Sequence, residues 1–257
     1  MSSPRILYFD IESAPNLAYV WGQYDQNVIA HEHEWTMLCF SYQWEGDRSV
    51  KVVSNYHDFG TTTDDSGTVA ALWKLFDEAD IVIAHNGDKF DIRKANARFV
   101  QQGLGAPSPF RSIDTLKVAR RHFAFNSNKL DDLGQHLGLG EKVKHPGWRM
   151  WEGCLAGDKK WWDLMRRYAK QDIVLLRDVY RVLRPFMSNH PNLANYSEEA
   201  FCPSCGAGEE HAKRGGTYHT QTGKYQCLRC DNCGTSFRAL RQDSDGFRPT
   251  TTAVTRR

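Results

Sequence analysis

Four carboxylates stand at positions where acids are costly. The stretch Arg5–Ser13 reads RILYFDIES, an apolar run of β-formers that carries Asp10 and Glu12. In an extended strand residues i and i+2 share a face, so both acids project together while Phe9 and Ile11 point the other way. Side-by-side carboxylates repel unless a cation lies between them. Magnesium and manganese prefer hard oxygen ligands and are the expected cations. The competing reading is a solvated edge strand with incidental acids. Asp91 closes the run Asn86-Gly-Asp-Lys-Phe-Asp91 at the end of an apolar stretch. The carboxyl ends of parallel strands are where α/β sheets build sites. Asp91 also suits a helix N-cap, and Asp88 competes with it on spacing. Asp172 falls within an apolar helical stripe, one turn beyond Tyr168. An acid there needs a cation or a partner, for which Arg166 and Arg167 are the alternatives to metal.

The elements that must hold these acids are legible in the periodicity. Residues 14–34 read as irregular and aromatic, with Tyr19, Trp21 and Tyr24. Thr36–Trp44 and Ser49–Tyr56 read as strands joined by a turn at Glu45–Asp47. Gly67–Ala79 has helical spacing, and Asp80–Asn86 reads as a buried parallel strand. Asp91–Gln102 returns to helix, ended by Gly103 and Gly105. A short strand at Ser112–Asp114 and helices over Thr115–Phe123 and Lys129–Leu137 follow. The longest helix spans Trp161–Met187, closed by Pro185 and the turn at Ser188–Pro191. Strands first, then alternating helices and strands, predict a mixed α/β sheet flanked by helices.

Three blocks in chain order, YFDIES, NGDKFD and YAKQD, resemble the DEDD superfamily of 3′–5′ exonucleases, which includes polymerase proofreading domains. The resemblance covers roughly residues 4–187 and implies a ribonuclease H-like fold. Tyr168 before Asp172 matches the tyrosine branch, DEDDy; the histidine branch wants His at 167, where this chain has Arg167. The resemblance implies two divalent ions, magnesium or manganese, about 3.5–4 Å apart. Asp10 would bridge them, Glu12 and Asp172 would complete the ion that activates water, and Asp91 would hold the other. Tyr168 would orient the water, since a phenol with a reference pKa of about 10 is no strong base at neutral pH. Asn86 would position the loop or the substrate strand, and Ser13 would approach the terminal nucleotide. The implied reaction releases nucleoside 5′-monophosphates from a 3′ end. Its substrate is expected to be DNA with a single-stranded 3′ end.

Five of the seven cysteines fall between Cys202 and Cys233. Cys202-Pro-Ser-Cys205-Gly and Cys230-Asp-Asn-Cys233-Gly are two knuckles of one form, which predicts a zinc ribbon with one structural Zn2+. Cys227 lacks a trailing glycine and is the spare; His211 and His219 are weaker alternative ligands. Zinc ribbons commonly bind nucleic acid or protein, so the expected partners are the substrate strand or a replication or repair protein, with pure stabilisation as the alternative. Residues 1–189 thus form the expected exonuclease domain, 190–197 a linker, 198–240 the ribbon and 241–257 a disordered tail.

Composition narrows the remaining choices. A net charge of +2 gives no global field for nucleic acid, so contacts must be local. Lys117–Lys129 and Lys142–Trp151 interleave bases with aromatics, which suits single-stranded nucleic acid as well as an ordinary solvated face. No apolar stretch reaches the roughly 20 residues of a membrane span, and a cytoplasmic location is expected. An exoribonuclease, a structure-selective endonuclease and a non-catalytic binding module of the same fold remain as rival functions.

Overall fold

The computed structural model describes residues 3–24, 27–221, 223–239 and 249–253. β1 (Ile6–Ser13) is followed by a small hairpin, β2 (Leu17–Tyr19) with β3 (Ala30–His33), then by β4 (Met37–Trp44) and β5 (Lys51–Ser54). Next come α1 (Asn55–Phe59), α2 (Ser66–Glu78), β6 (Ile81–Ala84), α3 (Asp91–Gln101), β7 (Arg111–Asp114), α4 (Thr115–His122), α5 (Leu130–His136), α6 (Trp148–Leu155) and α7 (Lys159–Leu183). The five strands β5-β4-β1-β6-β7 make one sheet. β1 pairs antiparallel with β4 and parallel with β6. β1 therefore sits at the centre, and its first four residues are buried on both faces.

The alternation along β1 decides which helices meet the acids. Leu7, Phe9 and Ile11 pack with Leu72 and Phe76 of α2 and Ala95 and Phe99 of α3. Ile6 and Tyr8 point the other way, onto Ile173, Leu176 and Tyr180 of α7. Asp10 and Glu12 continue that second face, so they are aimed at α7. α7 starts at Asp158, whose Oδ1 accepts the Lys160 N–H at 2.9 Å. Its 25 residues run about 37 Å. Close packing lets α6 lie on it: at Gly153 there is no room for a Cβ against the Trp161 indole.

Several boundaries and elements differ from the sequence expectation. The stretch 14–34 holds the hairpin β2–β3, whose strands are too short and too exposed to show alternation. The strand predicted over Ser49–Tyr56 stops at Ser54, whose Oγ accepts the His57 N–H and starts α1. α6 was not expected; no side chain caps it, and Gly147 precedes it with φ of 63°.

The C-terminal module is a four-stranded sheet, β11-β10-β9-β8, made of β8 (Ala212–His219), β9 (Lys224–Cys230), β10 (Ser236–Ala239) and β11 (Pro249–Ala253). β11 is a correction to the disordered tail: it pairs antiparallel with β10. Its Thr-rich run is a β-former beside an open edge. The rest of 240–257 lies outside the described residues. The expected linker is also anchored, because His190 Nε2 and the Tyr180 hydroxyl are hydrogen-bonded at 2.7 Å and Leu193 joins the core.

Candidate active site

α7 brings Tyr168 and Asp172 up to the acids of β1. Carboxylate oxygens of Asp10, Glu12 and Asp172 all lie within 4.8 Å of one another. Asp91 is next to this group and tied to it through the backbone. It does not cap α3; its Oδ1 accepts the Ile11 N–H at 3.1 Å, between the two acids of β1. Asp91 thus fixes the start of α3 to the sheet while its charge faces Asp10.

Every acid here is pushed towards its neutral form. Burial, then Asp91, Glu12 and Asp172, raise Asp10 well above the usual carboxylate range. Burial and then Asp172 push Glu12 up to about 8. Burial lifts Asp91 to about 6 against the pull of the Ile11 N–H. The cluster is short of positive charge. Part of it comes from Lys142, whose Nζ donates to Asp172 Oδ2 at 2.6 Å and to the Tyr168 hydroxyl at 3.2 Å. Asp172 is therefore paired with Lys142 and not with Arg166 or Arg167. Its other oxygen, Oδ1, is buried without a hydrogen-bond partner. An orphaned oxygen within a group of three carboxylates is a donor set that fits a hard divalent cation.

Lys142 was legible only as a member of a basic, aromatic stretch. The structure turns it inward. Its own N–H donates to Asp131 Oδ1 at 2.6 Å, and Gln171 Nε2 reaches Glu141 O at 3.4 Å, so the loop after α5 is pinned over α7. Of the other predicted residues, Ser13 is beside the acids and its Oγ accepts from Lys94 Nζ at 2.7 Å. Asn86 is a turn residue with φ of 68°, and its N–H donates to Asp114 Oδ1 at 2.9 Å. Asp88 is taken up by Lys117 at 2.7 Å and stays outside the cluster.

These raised values set a pH dependence for the metal-free protein. An acid whose folded pKa exceeds its unfolded one stabilises the fold while protonated, and that stability is lost as pH rises towards the folded value. His85 and His190, which burial holds down to about 4, oppose this trend on the acid side, where they are forced to take up protons. By about pH 7.5 those histidines are largely neutral in both states, so the net fall is carried by Glu12 and Asp10. In chelator, the thermal midpoint is expected to fall by roughly 2–4 °C between pH 6.5 and 8. Glu12→Gln should flatten the fall; an unchanged slope in that variant refutes the assignment.

A second cluster lies in the C-terminal module, where thiols of Cys202, Cys205, Cys230 and Cys233 fall within 4.8 Å of one another. Cys202 and Cys233 sulfurs are 3.7 Å apart, as are those of Cys205 and Cys230. These are non-bonded separations, and a tetrahedron with metal–sulfur bonds of about 2.3 Å has edges of about 3.8 Å. Cys227 is on β9 and outside this group, and His211 Nδ1 is 2.7 Å from Asp231 Oδ1. Arg184, which caps α7, is half-buried, and its charge interacts with the thiols of Cys233 and Cys205. Its guanidinium lies 5.6 Å from the Tyr180 ring centroid, and its Nε has no hydrogen-bond partner.

A model of the RNase H superfamily matches residues 7–184, the segment that carries the sheet, α7 and all four acids. The chain belongs to the RNase H superfamily. The chain is 27% identical over 135 residues to the DNA polymerase III PolC-type of Ureaplasma parvum serovar 3. That match covers 52% of the chain and 8% of the relative, so the chain spans a small fraction of the polymerase's length. The family B DNA polymerase of the archaeon Pyrobaculum calidifontis shares the fold, with a TM-score of 0.51 at 15% identity over 72% of this chain and 26% of that one. The cysteine module lies beyond the matched segment. No helix among the described residues is long and apolar enough to cross a membrane.

Proposed function

We propose that this RNase H superfamily member is a DEDDy-type 3′–5′ exonuclease that hydrolyses DNA from its 3′ end and releases nucleoside 5′-monophosphates. One observation carries the reading: Asp10, Glu12 and Asp172 converge around an orphaned carboxylate oxygen, with the Tyr168 hydroxyl beside them. Similarity to a DNA polymerase III PolC-type supports DNA as the substrate. Asp10, Glu12 and Asp172 would hold magnesium or manganese, with Asp91 serving a second ion beside Asp10. Such ions would supply charge stabilisation for the attacking and leaving oxygens of a phosphodiester.

The chain's own groups do the positioning. Burial, then Glu12 and Asp172, raise the Tyr168 hydroxyl above its ordinary value, so it stays protonated and orients water instead of removing its proton. Lys142 holds that hydroxyl and Asp172 in a fixed relation. The four cysteines would hold one structural zinc, leaving the ribbon face to contact the strand or a protein partner.

The test uses 5′-labelled DNA and RNA oligonucleotides with magnesium, manganese or chelator. A ladder of single-nucleotide steps from the 3′ end of DNA, lost in chelator, is expected. Internal cuts point to an endonuclease, cleavage of RNA alone to a ribonuclease, and binding without cleavage to a binding module; each overturns the reading. Lys142→Met should lower the metal-free stability by about 1–3 kcal/mol, below the full cost of breaking a buried pair because the ammonium is partly solvated. Manganese should close most of that gap. An equal deficit with and without manganese, measured by thermal melting, shows that Lys142 and metal do not share a role.

A further inference from the structure

The hairpin β2–β3 is an arm that buries nothing of its own. From Pro15 to Glu34 every described residue is exposed except the half-buried Ala18 and Gly22, and none joins a buried core cluster. We propose that this arm docks on the outer face of α7 in a second copy of the chain, which returns its own arm in the same way. Nothing in this dimer depends on the nuclease reading.

Water is a poor neighbour for the arm. Its strands have three and four residues, and the Ile29 N–H donates to the Tyr19 carbonyl at 2.9 Å where they diverge. A two-stranded hairpin of that size is marginal alone and needs a surface to pack on. Yet Trp21 is 88% exposed, Tyr19 56% and Leu17 54%, with Val20, Val28 and Ile29 exposed beside them. Single apolar side chains on a surface are ordinary, whereas these are concentrated within residues 17–29 and make a patch. Together they expose on the order of 500 Å² per arm. Two arms, each with the surface that it covers, bury on the order of 2,000 Å², the size of a stable dimer interface.

Charge selects the occupant. Residues 14–34 contain Asp25, Glu32 and Glu34 and neither lysine nor arginine. A phosphate backbone or an anionic lipid surface is therefore repelled. A basic protein surface fits, and the chain carries one. Lys160, Arg166, Arg167 and Lys170 project from α7 around a groove of about 580 Å³. Among the described residues, no carboxylate comes within salt-bridge distance of these four, and Asp163 in the same groove is taken up by Lys159 at 2.6 Å. Guanidinium groups stack on indole and phenol rings, and the stems of lysine and arginine cover apolar surface. The stripe thus suits Trp21 and Tyr19 as well as the carboxylates. It faces away from the buried side of α7 that holds Tyr168 and Asp172.

Each copy offers one arm and one stripe. Exchanged about a two-fold axis, the two contacts close on themselves, which gives a dimer and no open fibre. An unrelated basic protein would cover the arm and leave the stripe bare; a second copy covers both.

Sedimentation equilibrium of the full chain, from nanomolar to high micromolar concentration, tests the idea. Wild type should pass from monomer to dimer in that range. Trp21→Ser, at a position outside every core cluster, should weaken the dimer about 30-fold or more, the scale of an aromatic hot spot. Glu32→Lys with Glu34→Lys should give a monomer, and so should Arg167→Glu with Lys170→Glu. Mixed in equal amounts, these two double variants should dimerise again, because one contact is then charge-reversed and the other is wild type. That rescue also shows that both variants fold. A wild type that stays monomeric throughout, or a dimer that Trp21→Ser leaves unchanged, overturns the proposal. A dimer weakened by Trp21→Ser but indifferent to both charge variants and to mixing overturns the assignment to α7. A monomeric wild type whose binding to labelled DNA or neutral vesicles is lost in Trp21→Ser gives the arm to those ligands and overturns the dimer as well.

Discussion

Asp10→Asn is expected to lower hydrolysis about 10²- to 10³-fold, the scale at which removal of one preorganised charge-stabilising group is felt. The same substitution should raise the thermal midpoint of the metal-free protein by about 2–4 °C. The two effects have one cause. In the metal-free chain, Asp10 must either hold a proton or carry its charge against Asp91, Glu12 and Asp172. An amide of the same shape avoids both costs. A function-bearing site stores such conflict, whereas a residue kept for packing loses stability when changed. Activity assays beside melting curves in chelator decide the matter. A variant that is both inactive and less stable would make Asp10 a structural residue.

Removing metal from the cysteine cluster should have the largest effect on folding. Among the described residues, the buried apolar core of the C-terminal module is Leu228, Phe237 and the cysteines Cys202 and Cys230. So small a core does not hold a fold alone, and structural zinc supplies about 10–16 kcal/mol in modules of this kind. Cys230→Ser, or a strong chelator, is therefore expected to unfold β8, β9 and β10. The five-stranded sheet should survive, since its two large apolar layers are elsewhere. Hydrogen exchange followed by peptide reads both at once. Fast exchange over 201–239 with continued protection of β1 and β4 is the expected result, reversed by zinc and not by magnesium. Retained protection over 201–239 in Cys230→Ser would mean that the module needs no metal.

The acids of β1, the strand β6 and the helices α3 and α7 were legible because their periods are long or their burial is complete. Asp172 stood out as an acid in an apolar stripe. The spacing of Asp10 and Glu12 alone places both on one face. What was not legible came from loops and weak signals. Lys142 meets Asp172 across 30 residues through a loop, and no period connects them. A buried acid without a partner was the only hint that some cation had to arrive. The hairpin β2–β3 and α6 lack caps and alternation, so their aromatic residues read as composition only.

Arg184 changes how the two halves of the chain are connected. Asp172 and Arg184 are twelve positions apart on the same helical course, a rise of about 18 Å. One is in the acid cluster, and the other is the cation beside the thiols. A flexible linker would let the cysteine module wander and would raise only its local concentration near the acids. Here a rigid helix serves as a ruler. The separation of the two clusters is set by residues per turn, so inserting or deleting a single residue between them would rotate one site about 100° relative to the other.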